Sequence, residues 1–162
     1  MSSKPTTQSP VRLVPIDATD PQARAEIITF VNSNLALGLP VEDDSVRLGK
    51  LILFWAYDRS QRIGVSGFYE KTPFLAETAK TVIAPEARGK GYGSGLSQAI
   101  EDECRRRGYK KVVTTIYVTN LPMIFIKLKQ GYFFEGFHRD HDRPGLHEYT
   151  LGKIFADELK KP

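Results

Sequence analysis

The sequence contains a single cysteine and no long hydrophobic run, and each shortage excludes a class of protein. Cys104 alone can form no internal disulfide and cannot supply the cysteine pair of a structural zinc site. The longest apolar run, residues 51–57, is far shorter than the roughly 20 residues that a membrane-spanning helix needs. Residues 1–10 are polar where a signal peptide would have an apolar segment. We therefore expect a cytoplasmic protein that does not enter a membrane.

A large excess of charge of one sign is also missing. The formal net charge is +4 and the isoelectric point is about 9.2, a modest imbalance that proteins without nucleic-acid partners often share. Three arginines at residues 105–107 follow three acidic residues at 101–103 with a spacing of four, the favourable order on an exposed helix face. No aromatic residue interleaves with this basic run. We predict a solvated helix face there and no nucleic-acid partner.

The remaining composition, with 41% apolar residues, is typical of one globular domain. Residues 1–10 are rich in Ser, Thr, Pro and Lys, which predicts a flexible N-terminal segment before a single domain at 11–162. Asp20 followed by Pro21 predicts a helix start, whereas residues 35–47 are weakly patterned. The predicted strands are 11–15, 51–57, 63–69, 75–84, 112–118, 132–138 and 147–154, and the predicted helices are about 21–34, 92–108 and 120–131. This order predicts an α/β or α+β fold with a mixed sheet covered by helices.

A glycine-rich stretch, RGKGYGSG at residues 88–95, stands between a predicted strand and a predicted helix. Its glycines let the backbone approach a ligand closely and adopt positive φ at little cost. Free amides at the start of a helix attract anions, and Arg88 and Lys90 add positive charge. The stretch therefore predicts a phosphate-binding loop.

The glycine spacing distinguishes between known phosphate loops. Neither the dinucleotide pattern G-x-G-x-x-G nor the Walker pattern fits in any register. The pattern R-x-x-G-x-G does fit, with Arg88, Gly91 and Gly93, and it follows a strand that ends at Pro85. With these residues the chain resembles the GNAT superfamily of N-acetyltransferases. A later segment, from Asn120 through a short helix to a glycine–aromatic pair at 131–132, is similar to the second signature of that family.

The resemblance covers nearly the whole chain and implies the fold, the cosubstrate and its contacts. It implies a mixed, mostly antiparallel sheet of about seven strands with helices on both faces, and acetyl-coenzyme A as cosubstrate. The backbone of Val82 and Ile83 would pair with the pantetheine arm, the loop amides would hold the pyrophosphate, and Asn120 would lie near the thioester. The implied coenzyme-binding residues are Val82, Ile83, Arg88, Gly89, Lys90, Gly91, Tyr92, Gly93, Ser94 and Asn120.

The chemistry of amine acetylation requires a proton acceptor. An alkyl amine with a pKa near 10.4 is neutral in only about one molecule in 2,500 at pH 7. Glu77 occupies the position where several GNAT enzymes carry a base, so we assign it that role against the alternative of a solvent-facing strand residue. Where many relatives have a tyrosine that protonates the thiolate, this chain has Lys127. Lys127 is our candidate for that step; a surface position contacting coenzyme phosphates is the alternative, and Tyr117, Tyr132 or water could also serve.

Several ligand-type side chains near a turn require a separate interpretation. They flank residues 143–145 but lack any spacing typical of zinc, so we expect a polar hairpin loop and no metal. These side chains are His138, Asp140, His141, Asp142 and His147.

The function implied is transfer of acetyl from acetyl-CoA to a primary amine by direct attack in a ternary complex. A non-catalytic acyl-CoA sensor is the alternative, because the usual tyrosine is missing. The acceptor, a small molecule or a protein amino group, stays open, and a homodimer is possible.

Overall fold

The computed structural model describes residues 11–155, so the predicted flexible segment 1–10 lies outside the described residues. The seven predicted strands and three predicted helices are present, with bounds shifted by at most two residues. The strands are β1 (Arg12–Pro15), β2 (Leu51–Asp58), β3 (Gln61–Glu70), β4 (Leu75–Ile83), β5 (Lys111–Tyr117), β6 (Phe133–His138) and β7 (Glu148–Ile154). The helices are α1 (Pro21–Asn34), α2 (Asp43–Arg47), α3 (Tyr92–Arg106) and α4 (Leu121–Lys129). The five-residue α2 lies in the weakly patterned segment and was not predicted.

Local chemistry explains where the helices begin. Asp20 caps α1, accepting a hydrogen bond from the Gln22 amide at 2.9 Å, and Pro21 fits the first helical position. Asn120 caps α4 in the same way, through the Met123 amide at 3.3 Å. Both caps use a side-chain oxygen to satisfy an amide that has no helical partner.

The seven strands form one sheet in the order β1-β2-β3-β4-β5-β7-β6. Within the described residues, β4 and β5 are the only parallel neighbours, and the other strand pairs are antiparallel. The β4–β5 pairing covers four residue pairs and ends at Thr78 and Thr114. Beyond this point β4 and β5 no longer pair with each other, although each keeps its other neighbour, and a gap opens in the middle of the sheet.

Helices cover both faces of the sheet, as predicted. On one face α1 and α2 bury Ile27, Val31 and Val46 against β2, β3 and β4. On the other face Ile100 of α3 and Ile124 of α4 pack against the sheet. Trp55 belongs to the first core and Phe54 to the second, as the alternation of side chains along a strand requires.

A bulge interrupts β4 beside the gap. Gly67 of β3 lies opposite Ala79 and Val65 opposite Val82, so β4 carries one more residue than β3 in this stretch. The extra residue, Lys80, has φ of +56°, which is uncommon for a residue with a Cβ. Even-numbered side chains of β4 consequently change sides: Ala76 packs in the core beneath α3, and Val82 in the core beneath α1.

The acidic and basic residues of α3 pair differently from the prediction. Glu103 accepts hydrogen bonds from both Arg106 and Arg107 at 2.7 Å, in agreement with an exposed face. Glu101, however, is buried and pairs with Lys153 of β7 instead of an arginine on its own helix. The predicted spacing of four was therefore wrong for Glu101, because that side of α3 faces the sheet. No helix within residues 11–155 is long and apolar enough to span a membrane.

Candidate active site

The gap between β4 and β5 opens into a cleft of about 970 Å³. Its walls are residues 77–83 of β4 and 114–117 of β5, and the start of α4 closes one side. Two hydroxyls fix the point where the strands separate. Thr114 Oγ1 donates to the Thr78 carbonyl at 3.2 Å, and Thr78 Oγ1 donates to the Val113 carbonyl at 3.5 Å.

The loop between α1 and α2 covers the cleft. Residues 34–40 line it, and Lys80 Nζ donates to the Leu39 carbonyl at 2.8 Å, which ties the loop to the bulge of β4. Burial lowers the pKa of Lys80, against the attraction of Asp142 and other nearby carboxylates. The bulge thus places a lysine under the covering loop.

The glycine-rich loop leads into α3 as the sequence predicted. Gly89 and Gly91 have φ of +72° and +84°, conformations that favour glycine, and Gly91 is the N-terminal cap residue. No side chain within residues 11–155 caps this helix, so its first amides are available to an anion. The Tyr92 side chain contacts β2, since its hydroxyl donates a hydrogen bond to Asp58 at 2.6 Å.

The predicted coenzyme-binding residues divide into two neighbouring groups. Val82, Ile83, Arg88 and Asn120 line the cleft. The loop at 89–94 lies outside the cleft lining, where α3 begins. Arg88 joins the two groups, because its Nε donates to the Ile83 carbonyl at 3.2 Å. The arrangement suits an elongated ligand with an anionic part at α3 and a neutral arm along β4.

Glu77 lines the cleft with a side chain that is 22% exposed. One of its oxygens, Oε1, accepts from Thr115 Oγ1 at 3.1 Å, and the other, Oε2, pairs with Lys71 Nζ at 3.0 Å. The Glu77 side chain is thus partly buried at the cleft and reaches across from β4 to Thr115 of β5.

Lys127 is buried, with 3% exposure, so the alternative of a surface position is wrong. Its Nζ lies 3.5 Å from the Tyr132 hydroxyl and 4.5 Å from the centroid of the Tyr132 ring. Burial lowers its pKa from 10.5 to about 8, although Glu101 and Cys104 act in the opposite direction. An amine in this environment exchanges its proton near neutral pH and borders the cleft.

A group of acidic side chains lines the cleft beside Tyr117, at the end of β5. Glu148, at the start of β7, is 6% exposed, and its Oε2 is buried without a hydrogen-bond partner among residues 11–155. Burial raises the pKa of Glu148, and neighbouring Asp142 raises it further. The Tyr117 hydroxyl donates to Asp142 Oδ2 and so fixes that carboxylate. His141 completes the group, and one ligand atom from each of His141, Asp142 and Glu148 lies within 4.8 Å of the others.

Comparison with known proteins identifies the family. The model of the acetyltransferase (GNAT) family matches residues 23–132, more than half of the chain. The chain belongs to the GNAT family. It is accordingly an acetyl-CoA-dependent acyltransferase of the kind that transfers acetyl groups to nitrogen. No curated protein matches it significantly in sequence.

Solved structures of the same fold have low sequence identity to this GNAT chain. The spermidine N-acetyltransferase of Vibrio cholerae in complex with CoA and spermine is 16% identical, with a TM-score of 0.72 over 93% of this chain and 98% of that one. An N-acetyltransferase of Staphylococcus aureus Mu50 is 16% identical, with a TM-score of 0.70 over 90% and 98% of the two chains. The IAA acetyltransferase of Bacillus cereus ATCC 14579 is 14% identical, with a TM-score of 0.68 over 90% and 99%. At these identities the likeness shows the fold alone.

Sequence reasoning missed two residues of this GNAT cleft. Lys80 reaches the covering loop only because of the bulge in β4. No sequence pattern predicted this bulge. Glu148 immediately follows His147, one of the candidate ligand side chains near the turn. It was missed because a glutamate at the start of a strand is expected to be exposed. No sequence pattern indicates its place in the cleft, which follows from strand pairing: Glu148 lies opposite Tyr117, at the end of β5 that borders the gap.

Proposed function

We propose that this GNAT enzyme transfers acetyl from acetyl-CoA to a small cationic primary amine by direct attack in a ternary complex. The observation that carries the proposal is the acidic end of the cleft, where Glu77, Asp142 and Glu148 all line the cavity. Carboxylates in a half-enclosed cleft attract an ammonium group more strongly than they would in open water. The Vibrio cholerae structure with CoA and spermine supports a cationic acceptor, since that neighbour of the same fold binds such an amine.

The coenzyme would bind across the two groups of predicted residues. Its pyrophosphate would meet the backbone amides of residues 89–94 where α3 begins, and Arg88 and Lys90 would add charge. Its pantetheine arm would run along Val82 and Ile83, on the side of β4 that does not pair with β5 there. The thioester would then lie in the gap, near Asn120.

Each step of the transfer has a candidate group in the cleft. Glu77 takes a proton from the acceptor ammonium, which requires its ion pair with Lys71 to loosen. The neutral nitrogen attacks the thioester carbonyl, the adduct releases a second proton from nitrogen to solvent in the cleft, the carbon–sulfur bond breaks, and coenzyme A leaves as a thiolate. Lys127 donates a proton to that thiolate or stabilises its charge, and its lowered pKa of about 8 suits a donor to a thiol of ordinary pKa near 8.5.

A thiol-release assay with a panel of amines tests the proposal. Diamines and polyamines should release coenzyme A faster than neutral amines or amino acids of similar size. A preference for anionic or neutral acceptors would refute the assignment of the acidic end. Tight acetyl-CoA binding with no thiol release for any amine would instead support the alternative, a non-catalytic acyl-CoA sensor.

We also propose a homodimer formed through the edge strand β6. Phe133, Phe134 and Phe137 are exposed on this strand, with Phe133 at 74%, and a second copy would cover them. Sedimentation should show a dimer that Phe133→Lys with Phe137→Lys converts to a monomer. A monomeric wild type at tens of micromolar would refute it.

A cytoplasmic location is proposed as well. Cys104 is free and buried, which agrees with a reducing compartment. Cell fractionation tests this location directly.

A further inference from the structure

We propose that His141, Asp142 and Glu148 form a binding site for a divalent transition-metal cation, such as Mn²⁺ or Zn²⁺, which competes with the cationic acceptor. Binding of the ion stands on these three residues alone. The competition rests on the proposed function, because it assumes that the acceptor's ammonium uses the same carboxylates.

The three side chains come from two segments that the fold brings together. His141 and Asp142 belong to the loop between β6 and β7, and Glu148 begins β7. One ligand atom from each lies within 4.8 Å of the others. An imidazole nitrogen with two carboxylate oxygens is a donor set that suits Zn²⁺ and Mn²⁺.

An independent observation indicates that a cation is wanted here. Glu148 is 94% buried, and its Oε2 has no hydrogen-bond partner in the described part of the chain. A buried oxygen of a carboxylate is costly to leave unsatisfied. Lys80 is near enough to be attracted by Glu148, but its described hydrogen bond goes to the Leu39 carbonyl and none reaches Glu148 Oε2. A metal ion would supply the missing partner.

Small movements would complete the coordination. Ligand atoms around a tetrahedral Zn²⁺ lie about 3.4 Å apart, so atoms that lie within 4.8 Å of one another here must approach by at most about 1.4 Å. His141 is exposed on the loop and can move, whereas Asp142 is fixed by Tyr117 and Glu148 by β7. We therefore expect His141 to close onto two nearly stationary carboxylates.

Electron paramagnetic resonance of Mn²⁺ tests the site without any enzyme assay. Full-length protein without an affinity tag is titrated with Mn²⁺, and the loss of the free-ion signal measures binding. We expect one saturable ion per chain, with an affinity at least about tenfold weaker in both Glu148→Gln and His141→Gln. His147→Gln is the matched control, an imidazole of the same loop outside the trio, and should bind as wild type does.

Two results would overturn the site: no saturable binding below about 1 mM Mn²⁺, or wild-type affinity in either Glu148→Gln or His141→Gln. Circular dichroism and acetyl-CoA affinity establish that each variant is folded. In the kinetic arm, Mn²⁺ should raise KM for the best amine and leave KM for acetyl-CoA unchanged. An unchanged amine KM at saturating Mn²⁺ would overturn the competition, while a failure to find any amine substrate would leave the resonance result standing.

Discussion

Lys127 offers a sharp test of the structure, because its replacement by methionine should stabilise the protein. The ammonium is buried between α3 and α4 and touches the Tyr132 ring. Methionine keeps the length of the side chain and fills irregular apolar space well. Glu101 retains its own partner, Lys153, after the change. Lys127→Met therefore removes a buried charge without leaving a bare carboxylate.

The size of the effect follows from the pKa of Lys127. Unfolded, the group has a pKa of 10.5, and burial lowers it to about 8 in the folded protein. The difference corresponds to about 3 kcal/mol, which is what the folded state loses by holding the charged form. This destabilisation is fully present below pH 8 and shrinks as the pH rises towards 10.5, because Lys127 loses its proton at a lower pH in the folded state than in the unfolded state. Above pH 10.5 Lys127 is neutral in both the folded and the unfolded state, so its burial no longer affects stability through charge.

Urea denaturation of wild type and Lys127→Met at pH 7, 8.5 and 9.5 measures this dependence. At pH 7 the variant should be more stable by about 1 to 3 kcal/mol, and the difference should fall as the pH rises. Lys129→Met, an exposed lysine of the same helix, is the control and should change stability by less than about 0.5 kcal/mol at every pH. A difference that is constant with pH, or a destabilised Lys127→Met at pH 7, would refute the reasoning. Reduced turnover in the more stable variant would support a role in catalysis.

Three further predictions concern the coenzyme loop, the base and the sheet. Gly91→Val should weaken acetyl-CoA binding at least tenfold, about 1.4 kcal/mol by calorimetry. Gly108→Val, at a second glycine of positive φ and with no atom within 4 Å of the added Cβ, controls for backbone strain, and equal losses in both variants would contradict a phosphate contact. Glu77→Gln should lower kcat/KM roughly 100-fold at pH 7, with a loss that shrinks at high pH where the amine is already neutral, whereas Glu26→Gln on the surface of α1 should not. If Glu77→Gln were as active as wild type near pH 7, another group would be the base. Gly64→Ala should destabilise by several kcal/mol in thermal denaturation, since its Cβ would lie 2.2 Å from a backbone carbonyl oxygen of β4; a change below about 1 kcal/mol would contradict the register of β3 and β4.

The parts of this fold that the sequence predicted are those fixed by local chemistry. Each helix start depends on residues within one turn of it: Asp20 with Pro21 for α1, Gly89 and Gly91 for α3, and the capping Asn120 for α4. Alternation of side chains along a strand is equally local. The short helix α2 escaped prediction because five mostly polar residues carry no helical period, and only Val46 anchors it in the core.

The unpredicted features of the site depend on contacts between distant segments. Glu101 could not be separated from its acidic neighbours until β7 brought Lys153 against it. The family resemblance made Lys127 a candidate, but its burial could not be predicted, because the burial follows from α4 packing against α3 and Tyr132. Glu148 becomes part of the cleft only through pairing with β5. Long-range packing decides these positions, so pattern reasoning could not reach them.

The bulge in β4 has a consequence for insertions and deletions in related sequences. If a sequence lost Lys80, Thr81 could lie opposite Ser66, while Ala79 kept Gly67 and Val82 kept Val65 as partners. A deletion elsewhere in β4 would instead shift every side chain beyond it to the wrong face. The chain could thus lose this residue and keep its sheet, yet the irregular backbone beside the cleft would be gone. In an alignment of relatives, a one-residue deletion at this position would mark proteins that keep the fold but lose the irregular backbone beside the cleft.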